Sequence, residues 1–382
     1  MRKVYFDNAA TTQLRTEVVE CISKVLQTEY GNPSSTHSYG RSAKSLLESS
    51  RKDIAKHLNV AASEIIFTSG GTEADNLILN SCVRDLGVKR IVTSKIEHHA
   101  VLYMVNELER THGIQVDFVS LDADGHVDYE DLERLLKIKD KKTLVSLMHV
   151  NNEIGCVLDL KRVSFMCKDY NALFHSDTVQ SVGHFEMDFS EIPIDFAAVA
   201  AHKFHGPKGA GFAFIRKSSG VQPLIFGGEQ ERGLRAGTEA VYAIVGMAEA
   251  LRISYQNLTQ EKNYVRGIKD YFKSEISKAI PELKFNGGCD DNSKSTYTVL
   301  NICFPIPPEK ALMILFQLDL NGIACSKGSA CQSGSSKGSH VLNAILAKED
   351  LQNPSLRFSF SIFNTKEEVD YVVKILKDFV EN

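Results

Sequence analysis

The sequence lacks a long apolar run and a strong excess of either charge. No segment reaches the roughly 18 uninterrupted apolar residues of a membrane span, and the N-terminus, MRKVYFDNAATTQL, has no apolar stretch of signal-peptide length. A cytoplasmic protein with no membrane association is therefore expected. The formal net charge of −4 at pH 7 argues against a surface that binds nucleic acid.

Cysteine is sparse and has no paired spacing. Eight cysteines are scattered over 382 residues without a CxxC motif, which argues against a disulfide scaffold and against structural zinc. Most are expected to be small buried side chains. Cys325 and Cys331 differ because they lie in CSKGSACQSGSSKGSH, the single low-complexity segment, whose Gly/Ser composition predicts flexible chain and an accessible thiol.

The hydrophobic pattern predicts an α/β fold in two domains. Short apolar runs such as EIIFTS, TLVSLMHV, ALFHSD and DFAAVAAHK alternate with helical patterns such as TEADNLILNSCVRDLG, which favours a mainly parallel sheet covered by helices. A long helical region is expected from Thr238 toward Ile280, followed by a smaller α+β grouping. The predicted large domain is 15–255, and the predicted small domain combines 1–14 with 256–382 and carries the Cys331 segment.

Polar residues follow several of the predicted strands. Ligands collect at the carboxyl ends of parallel strands, so these residues are candidates for a binding site. They are Gly70-Gly71-Thr72-Glu73, Asn151-Asn152-Glu153, Asp177 with Gln180, and His202-Lys203. The glycines open directly into a helical pattern, which presents backbone N–H groups to an anion such as phosphate.

A lysine, an acid and an anion cradle at neighbouring strand ends match the needs of pyridoxal phosphate. This cofactor requires a lysine to hold it as a Schiff base, a carboxylate for its ring nitrogen and a site for its phosphate. Taken alone, Lys203 is better explained as a surface lysine and Asp177 as a loop acid. Taken together, the residues favour a cofactor site.

Ten ordered motifs also resemble one enzyme family over nearly the whole chain. They are YFDNAATTQ, YGNPSSTHSYGRSA, IIFTSGGTEADN, EHHAVL, HVNNEIG, HSDTVQSVG, AHKFHGPKGAGF, GGEQERGLRAGTEA, GSACQSGS and LRFSFSIF. The sequence is similar to the cysteine desulfurases of the class V aminotransferase family, on the NifS-like and IscS-like branch. The resemblance implies a homodimer with the PLP-dependent fold-type I scaffold, which converts L-cysteine into L-alanine and an enzyme persulfide for iron-sulfur or other sulfur-acceptor proteins.

The resemblance assigns roles to individual residues. It makes Lys203 the Schiff-base lysine, Asp177 the partner of the ring nitrogen, and His98 the imidazole on the ring face and a proton carrier. The remaining cofactor contacts are Gln180 to the phenolic oxygen, Asn152 near cofactor and substrate, Gly71, Thr72 and His202 around the phosphate, and Thr238 reaching the phosphate of the other subunit. Arg357 resembles the arginine that binds the substrate carboxylate, a role suited to its planar fork.

Cys331 resembles the cysteine that carries the persulfide. In that role it is also a transient ligand to a nascent iron-sulfur cluster. Cys325 has no counterpart in this resemblance and is expected to be a buried thiol at a strand end.

Two departures from the family pattern are evident. Ala200 stands three residues before the lysine, where the family usually has a serine that binds phosphate. Either weaker retention of the cofactor or substitution by Ser69 or a water is expected. The chain ends at Asn382 without the C-terminal extension by which some family members meet a scaffold partner, which leaves the sulfur acceptor open.

Other functions are compatible with parts of this pattern. A selenocysteine lyase, an aminotransferase or an epimerase would use the same lysine and acid, although an aminotransferase has no need of GSACQSGS. A non-enzymatic thiol or metal-delivery protein could use Cys325, Cys331 and His340 as ligands, but that role does not explain a lysine at a strand end.

Overall fold

The computed structural model describes residues 2–307, 310–327 and 338–381, without the side chains of residues 311 and 312. Its strands are β1 (Val4–Tyr5), β2 (Ile65–Thr68), β3 (Arg90–Thr93), β4 (Gln115–Phe118), β5 (Thr143–Ser146), β6 (Leu173–Asp177), β7 (Phe196–Ala200), β8 (Gly211–Ile215), β9 (Lys284–Phe285), β10 (Val299–Cys303), β11 (Ile323–Ala324) and β12 (Ser355–Ser359).

Helices follow most of these strands. They are α1 (Thr16–Thr28), α2 (Ser38–His57), α3 (Gly71–Arg84), α4 (His99–His112), α5 (Tyr129–Leu136), α6 (Leu160–Asp169), α7 (Val241–Gln256), α8 (Leu258–Ala279), α9 (Ala311–Leu320), α10 (His340–Ile345) and α11 (Lys366–Glu381). No helix in the described ranges is both long and apolar enough to cross a membrane.

A seven-stranded sheet forms the centre of the larger part of the molecule. Its strand order is β2-β8-β7-β6-β5-β3-β4, and only β8 runs against its neighbours. The inner strands read as continuous apolar runs, such as Phe196–Ala200, because helices cover both faces and every residue of the strand is buried. The expectation of an α/β fold with a mainly parallel sheet is confirmed.

A second hydrophobic core joins the two ends of the chain. The antiparallel sheet β12-β10-β9 packs beside α8 and α11, and β1 pairs in parallel with β11. Phe6, near the N-terminus, lies in edge contact with Phe272 and Phe360, with ring centroids 5.8 and 5.2 Å apart. This grouping supports the predicted division of the chain into a large domain, 15–255, and a small domain, 1–14 with 256–382. The domain bounds themselves stay a prediction.

The helical region expected from Thr238 to Ile280 is interrupted once. It consists of α7 and α8, separated at Asn257, where the backbone leaves the helical region (φ −107°, ψ 9°). Asparagine hydrogen-bonds readily to nearby backbone outside a helix, which favours such a break.

The parallel strands place their polar ends together. Asp177 ends β6, the turn that carries Lys203 follows β7, and α3 begins three residues after β2. His98 caps α4, which follows β3 after a short loop. The candidate residues of four separate motifs therefore reach one edge of the sheet.

Candidate active site

A cavity of about 210 Å³ opens at this edge of the central sheet. Ala200 and nine of the residues expected at the site line it, namely Gly71, Thr72, His98, Asn152, Asp177, Gln180, His202, Lys203 and Arg357. The fold thus gathers most of the predicted site from segments that lie up to 286 residues apart in sequence.

Lys203 is held at the cavity by the N-terminal segment. It lies in a short 3₁₀ turn directly after β7. Its Nζ donates hydrogen bonds to the backbone carbonyls of Ala9 and Ala10, at 2.6 and 2.8 Å. These two hydrogen bonds fix the position of the amine at the cavity.

Asp177 provides a buried carboxylate at the end of β6. Burial raises its pKa to about 6, while the Val179 N–H, which donates to Oδ1 at 2.9 Å, and the charge of Lys203 act in the opposite direction. A cation beside this group favours its ionised form. Asp177 therefore suits a protonated ring nitrogen.

His98 is neutral near physiological pH. Burial, with smaller effects from Lys203 and His340, lowers its pKa to about 4. Its Nδ1 accepts a hydrogen bond from the Ala100 N–H at 3.2 Å, so the ring proton resides on Nε2. This contact also caps α4 and fixes the ring at the cavity.

The first turn of α3 forms an anion cradle. A Cβ added to Gly71 would lie 2.5 Å from Val179 Cγ2, so glycine is required for this close approach. His202 Nδ1 is buried without a hydrogen-bond partner among the described residues. Free backbone N–H groups at the helix start and an unpaired ring nitrogen fit a phosphate.

Ala200 leaves a gap in this cradle. Its Cβ would lie 3.7 Å from a Cβ at Gly71, and its side chain lines the cavity. Ser69, expected to substitute for the missing hydroxyl, is exposed, and its backbone N–H donates to Glu73 instead. Ser69 therefore does not line the cavity, and substitution by a water or weaker cofactor retention stays a prediction.

Arg357 presents a buried guanidinium to the cavity from β12. Nη1 donates to the Asn152 carbonyl at 2.9 Å and Nη2 donates to Asp7 Oδ1 at 2.8 Å. Nε is buried and has no partner in the described part of the chain. The side chain is thus oriented by two bonds and retains a donor for a substrate carboxylate.

One expected site residue does not line this cavity in the single chain, and another lies outside the described residues. Thr238 is exposed and does not line it, although Arg235 three residues earlier forms an ion pair with Glu73 of α3 at 2.8 Å. Cys331 lies outside the described residues, and so does its expected role as a transient metal ligand.

Cys325 does not behave as an accessible thiol. It follows β11 and packs against the second core, and burial raises its pKa well above the ordinary value. His340 donates from Nε2 to the Glu97 carbonyl at 2.9 Å. The described residues contain no group of three or more His, Cys, Asp or Glu side chains able to hold a metal ion.

Sequence reasoning missed several polar groups that complete the site. They are the Ala9 and Ala10 carbonyls, Asp7 beside Arg357, and the buried acids Asp75 and Glu97. The position of Asp75 could have been predicted, because it lies one helical turn after Gly71 and residues four apart share a helix face. Asp7 gave none, since its contact spans 350 residues.

The residues around the cavity fit pyridoxal phosphate. One cavity is surrounded by the Lys203 amine, the buried Asp177 carboxylate, His202 and the Arg357 guanidinium. Among the described residues, His202 Nδ1 and Arg357 Nε have no hydrogen-bond partner. These are the groups that the cofactor and an amino-acid carboxylate require.

Comparisons with known proteins agree with this geometry. The family model of aminotransferase class-V matches residues 4–372. The chain belongs to the class-V aminotransferase family. Enzymes of this family are in general PLP-dependent.

Individual class-V relatives resemble the chain over its full length. The chain is 41% identical to a protein named cysteine desulfurase IscS from Dictyoglomus turgidum, over all of this chain and 95% of that protein. Among solved structures, a NifS-like protein covers 100% of both chains with a TM-score of 0.90 and 34% identity. A structure titled SspA in complex with cysteine has a TM-score of 0.80 and 28% identity, covering 95% of this chain and 100% of that one.

Proposed function

We propose that this protein is a PLP-dependent cysteine desulfurase. It removes sulfur from L-cysteine, leaves L-alanine and holds the sulfur as a persulfide on Cys331 for transfer to an acceptor protein, such as one that assembles iron-sulfur clusters. The observation that carries the proposal is the single cavity shared by Lys203, Asp177, His98 and Arg357. The names of the relatives support the choice of reaction.

The cofactor supplies an electron sink that makes the substrate's α-proton removable. The chain's own residues then divide the work. Asp177 keeps a negative charge at the ring nitrogen, and Gln180, whose Nε2 donates to the Ala9 carbonyl at 2.9 Å, lies at the cavity wall as a donor. Arg357 orients the substrate through its carboxylate, and Lys203 Nζ and His98 Nε2 carry protons.

The sulfur step uses a thiolate of the chain. The Cys331 thiolate attacks the substrate sulfur, and an S–S bond forms as the substrate C–S bond breaks. The electron pair of the broken bond stays on carbon, which takes up a proton to give alanine. The described residues that flank this segment in the sequence contact residues of the site. Ser326 Oγ donates to Asp7 Oδ1 at 2.9 Å, and Ser339 Oγ donates to Glu153, the neighbour of Asn152.

We also infer a homodimer, because Thr238 is absent from the cavity of one chain and is assigned to the phosphate of the other. Exposed aromatic side chains support an interface. Tyr30 and Phe226 are each 74% exposed, and Tyr30 lies 5.2 Å from the half-exposed Tyr39 ring. The cytoplasmic location stays a prediction.

The proposal is tested by assaying alanine, sulfide and protein persulfide with L-cysteine as substrate. The wild-type protein and Cys325→Ser are expected to form all three, because the Cys325 thiol packs against the second core, away from any role in the reaction. Cys331→Ser is expected to bind cofactor but to fall to background, since a hydroxyl is a poor nucleophile.

Active Cys331→Ser protein would contradict the assignment of the nucleophile. A wild-type protein that forms no alanine from cysteine would contradict the function. Parallel assays with selenocysteine, and with an amino acid plus a keto acid, separate the lyase and aminotransferase alternatives.

A further inference from the structure

Two acidic side chains, Asp75 and Asp177, line the cavity, and a third, Glu97, lies within electrostatic range of both. Asp75 lies on α3, Glu97 immediately precedes His98, and Asp177 ends β6; none of these three residues is more than 5% exposed. Three ionised carboxylates buried this close together repel one another and lose their hydration. Some of them must therefore carry protons.

The hydrogen bonds distinguish the three acids. Glu97 Oε1 accepts from Ser94 Oγ at 2.8 Å and from the Met148 N–H at 3.0 Å, and Asp177 accepts from the Val179 N–H. Asp75 Oδ1 lies 3.3 Å from His175 Nε2, yet neither atom completes a hydrogen bond within the described ranges. Asp75 is thus the acid with the least support for a negative charge.

His175 supplies the acceptor for a proton on Asp75. It shares a face of β6 with Asp177, because alternate residues of a strand point the same way. Its Nδ1 lies 2.9 Å from Ser146 Oγ, on the neighbouring strand β5. Burial lowers its pKa to about 3, so the neutral ring bears one N–H. An N–H directed at Ser146 leaves Nε2 to accept.

The charges around Asp75 act in the same direction. Burial raises its pKa well above the ordinary value, and Asp177 and Glu97 raise it further. Besides Asp75, the titratable or charged groups that line the cavity are Asp177, His98, His202, Lys203 and Arg357. Outside the lining, His175 lies 3.3 Å from Asp75, and Glu97 acts on it electrostatically. The Lys203 ammonium favours the ionised form of Asp177.

We propose that Asp75 is a positioning residue that stays protonated, donates a hydrogen bond to His175 Nε2 and thereby leaves Asp177 as the ionised carboxylate for the cofactor nitrogen. The inference rests on the proposed function. An ionised Asp75 would compete with Asp177 for the charge and would weaken the partner of the ring nitrogen.

The first test measures cofactor binding in Asp75→Asn and Asp75→Ala. Asp177→Asn is the comparison variant, because it makes the same substitution at the acid that is expected to be ionised. Apo protein is titrated with pyridoxal phosphate, and the visible absorbance band is followed with pH. Asp75→Ala should weaken binding about tenfold by removing the donor to His175. Asp75→Asn should restore binding to within about threefold, because its amide also donates. Asp177→Asn should weaken binding by about tenfold or more.

Two results would overturn the proposal in this test. One is Asp75→Asn protein that binds as weakly as Asp75→Ala. The other is a shift of about one pH unit or more in the midpoint of the visible band on Asp75→Asn, since only an ionised Asp75 contributes a charge for that exchange to remove.

The second test needs no cofactor. Urea unfolding of apo protein is compared for wild type and Asp75→Asn at pH 5 and pH 8. A proton retained on folded Asp75 but released on unfolding makes wild-type stability fall as the pH rises above its ordinary pKa. The urea midpoint of the variant relative to wild type should therefore be higher at pH 8 than at pH 5. A difference that stays the same at both pH values would contradict the proposal, because an Asp75 already ionised in the folded protein releases no proton on unfolding.

The two tests fail independently of the proposed function. If the wild-type protein binds no pyridoxal phosphate, the proposed function is wrong, whereas the apo measurement still decides whether Asp75 holds a proton.

Discussion

Ala200→Ser is expected to tighten the binding of pyridoxal phosphate. Ala200 lines the cavity beside Gly71, which has no side chain, so a hydroxyl at this position can extend into the space of the phosphate cradle. A hydrogen bond to a charged acceptor contributes about 1.5 to 3 kcal/mol. The dissociation constant should therefore fall roughly 10- to 100-fold.

The assay is titration of apo protein with cofactor, with loss of the visible band during dialysis as the kinetic counterpart. Ala200→Cys is the matched control, because its thiol has similar size but is a weak donor. The serine variant should lose cofactor more slowly than the wild-type protein, and the cysteine variant should not. Equal affinity in all three proteins would refute the reasoning and would mean that another donor already fills the gap.

Two further perturbations test other parts of the site. Burial raises the pKa of Glu97 from 4.5 to about 8. Between these pH values the folded chain holds a proton that the unfolded chain releases. The free energy of unfolding therefore falls by at most about 1.4 kcal/mol for each pH unit of increase. Glu97→Gln should remove this loss, and urea unfolding of apo protein should show its advantage over wild type growing by about 1 to 3 kcal/mol from pH 6 to pH 8; a constant difference would contradict the assignment. Light scattering should give twice the chain mass of 42.4 kDa, and a monomer with full cofactor content would exclude the role given to Thr238.

The residues at strand ends could be predicted from the sequence because their signals are local. Asp177 and Lys203 each follow a run of apolar residues, and parallel strands bring such ends to one edge. The break at Asn257 could not be placed within a continuous helical pattern. The pairing of Arg357 with Asp7 could not be predicted either, because it depends on the N-terminal strand joining the second core.

The protonation of the buried acids depends on tertiary structure in the same way. Asp75 and Glu97 belong to motifs that were recognised, but nothing in those motifs shows that the two carboxyl groups face Asp177. Only the folded arrangement reveals which acid lacks hydrogen bonds. The reaction type of a motif can thus be predicted from the sequence, whereas the protonation state of its buried acids requires the folded structure.

The most direct test of the central claim is borohydride reduction of the protein with bound pyridoxal phosphate, followed by peptide mapping. Reduction fixes the cofactor covalently to the lysine that holds it. The pyridoxyl group is expected on the peptide that contains Lys203, where the Ala9 and Ala10 carbonyls hold the amine. A pyridoxyl group on another lysine, or none on protein supplied with cofactor, would contradict this expectation.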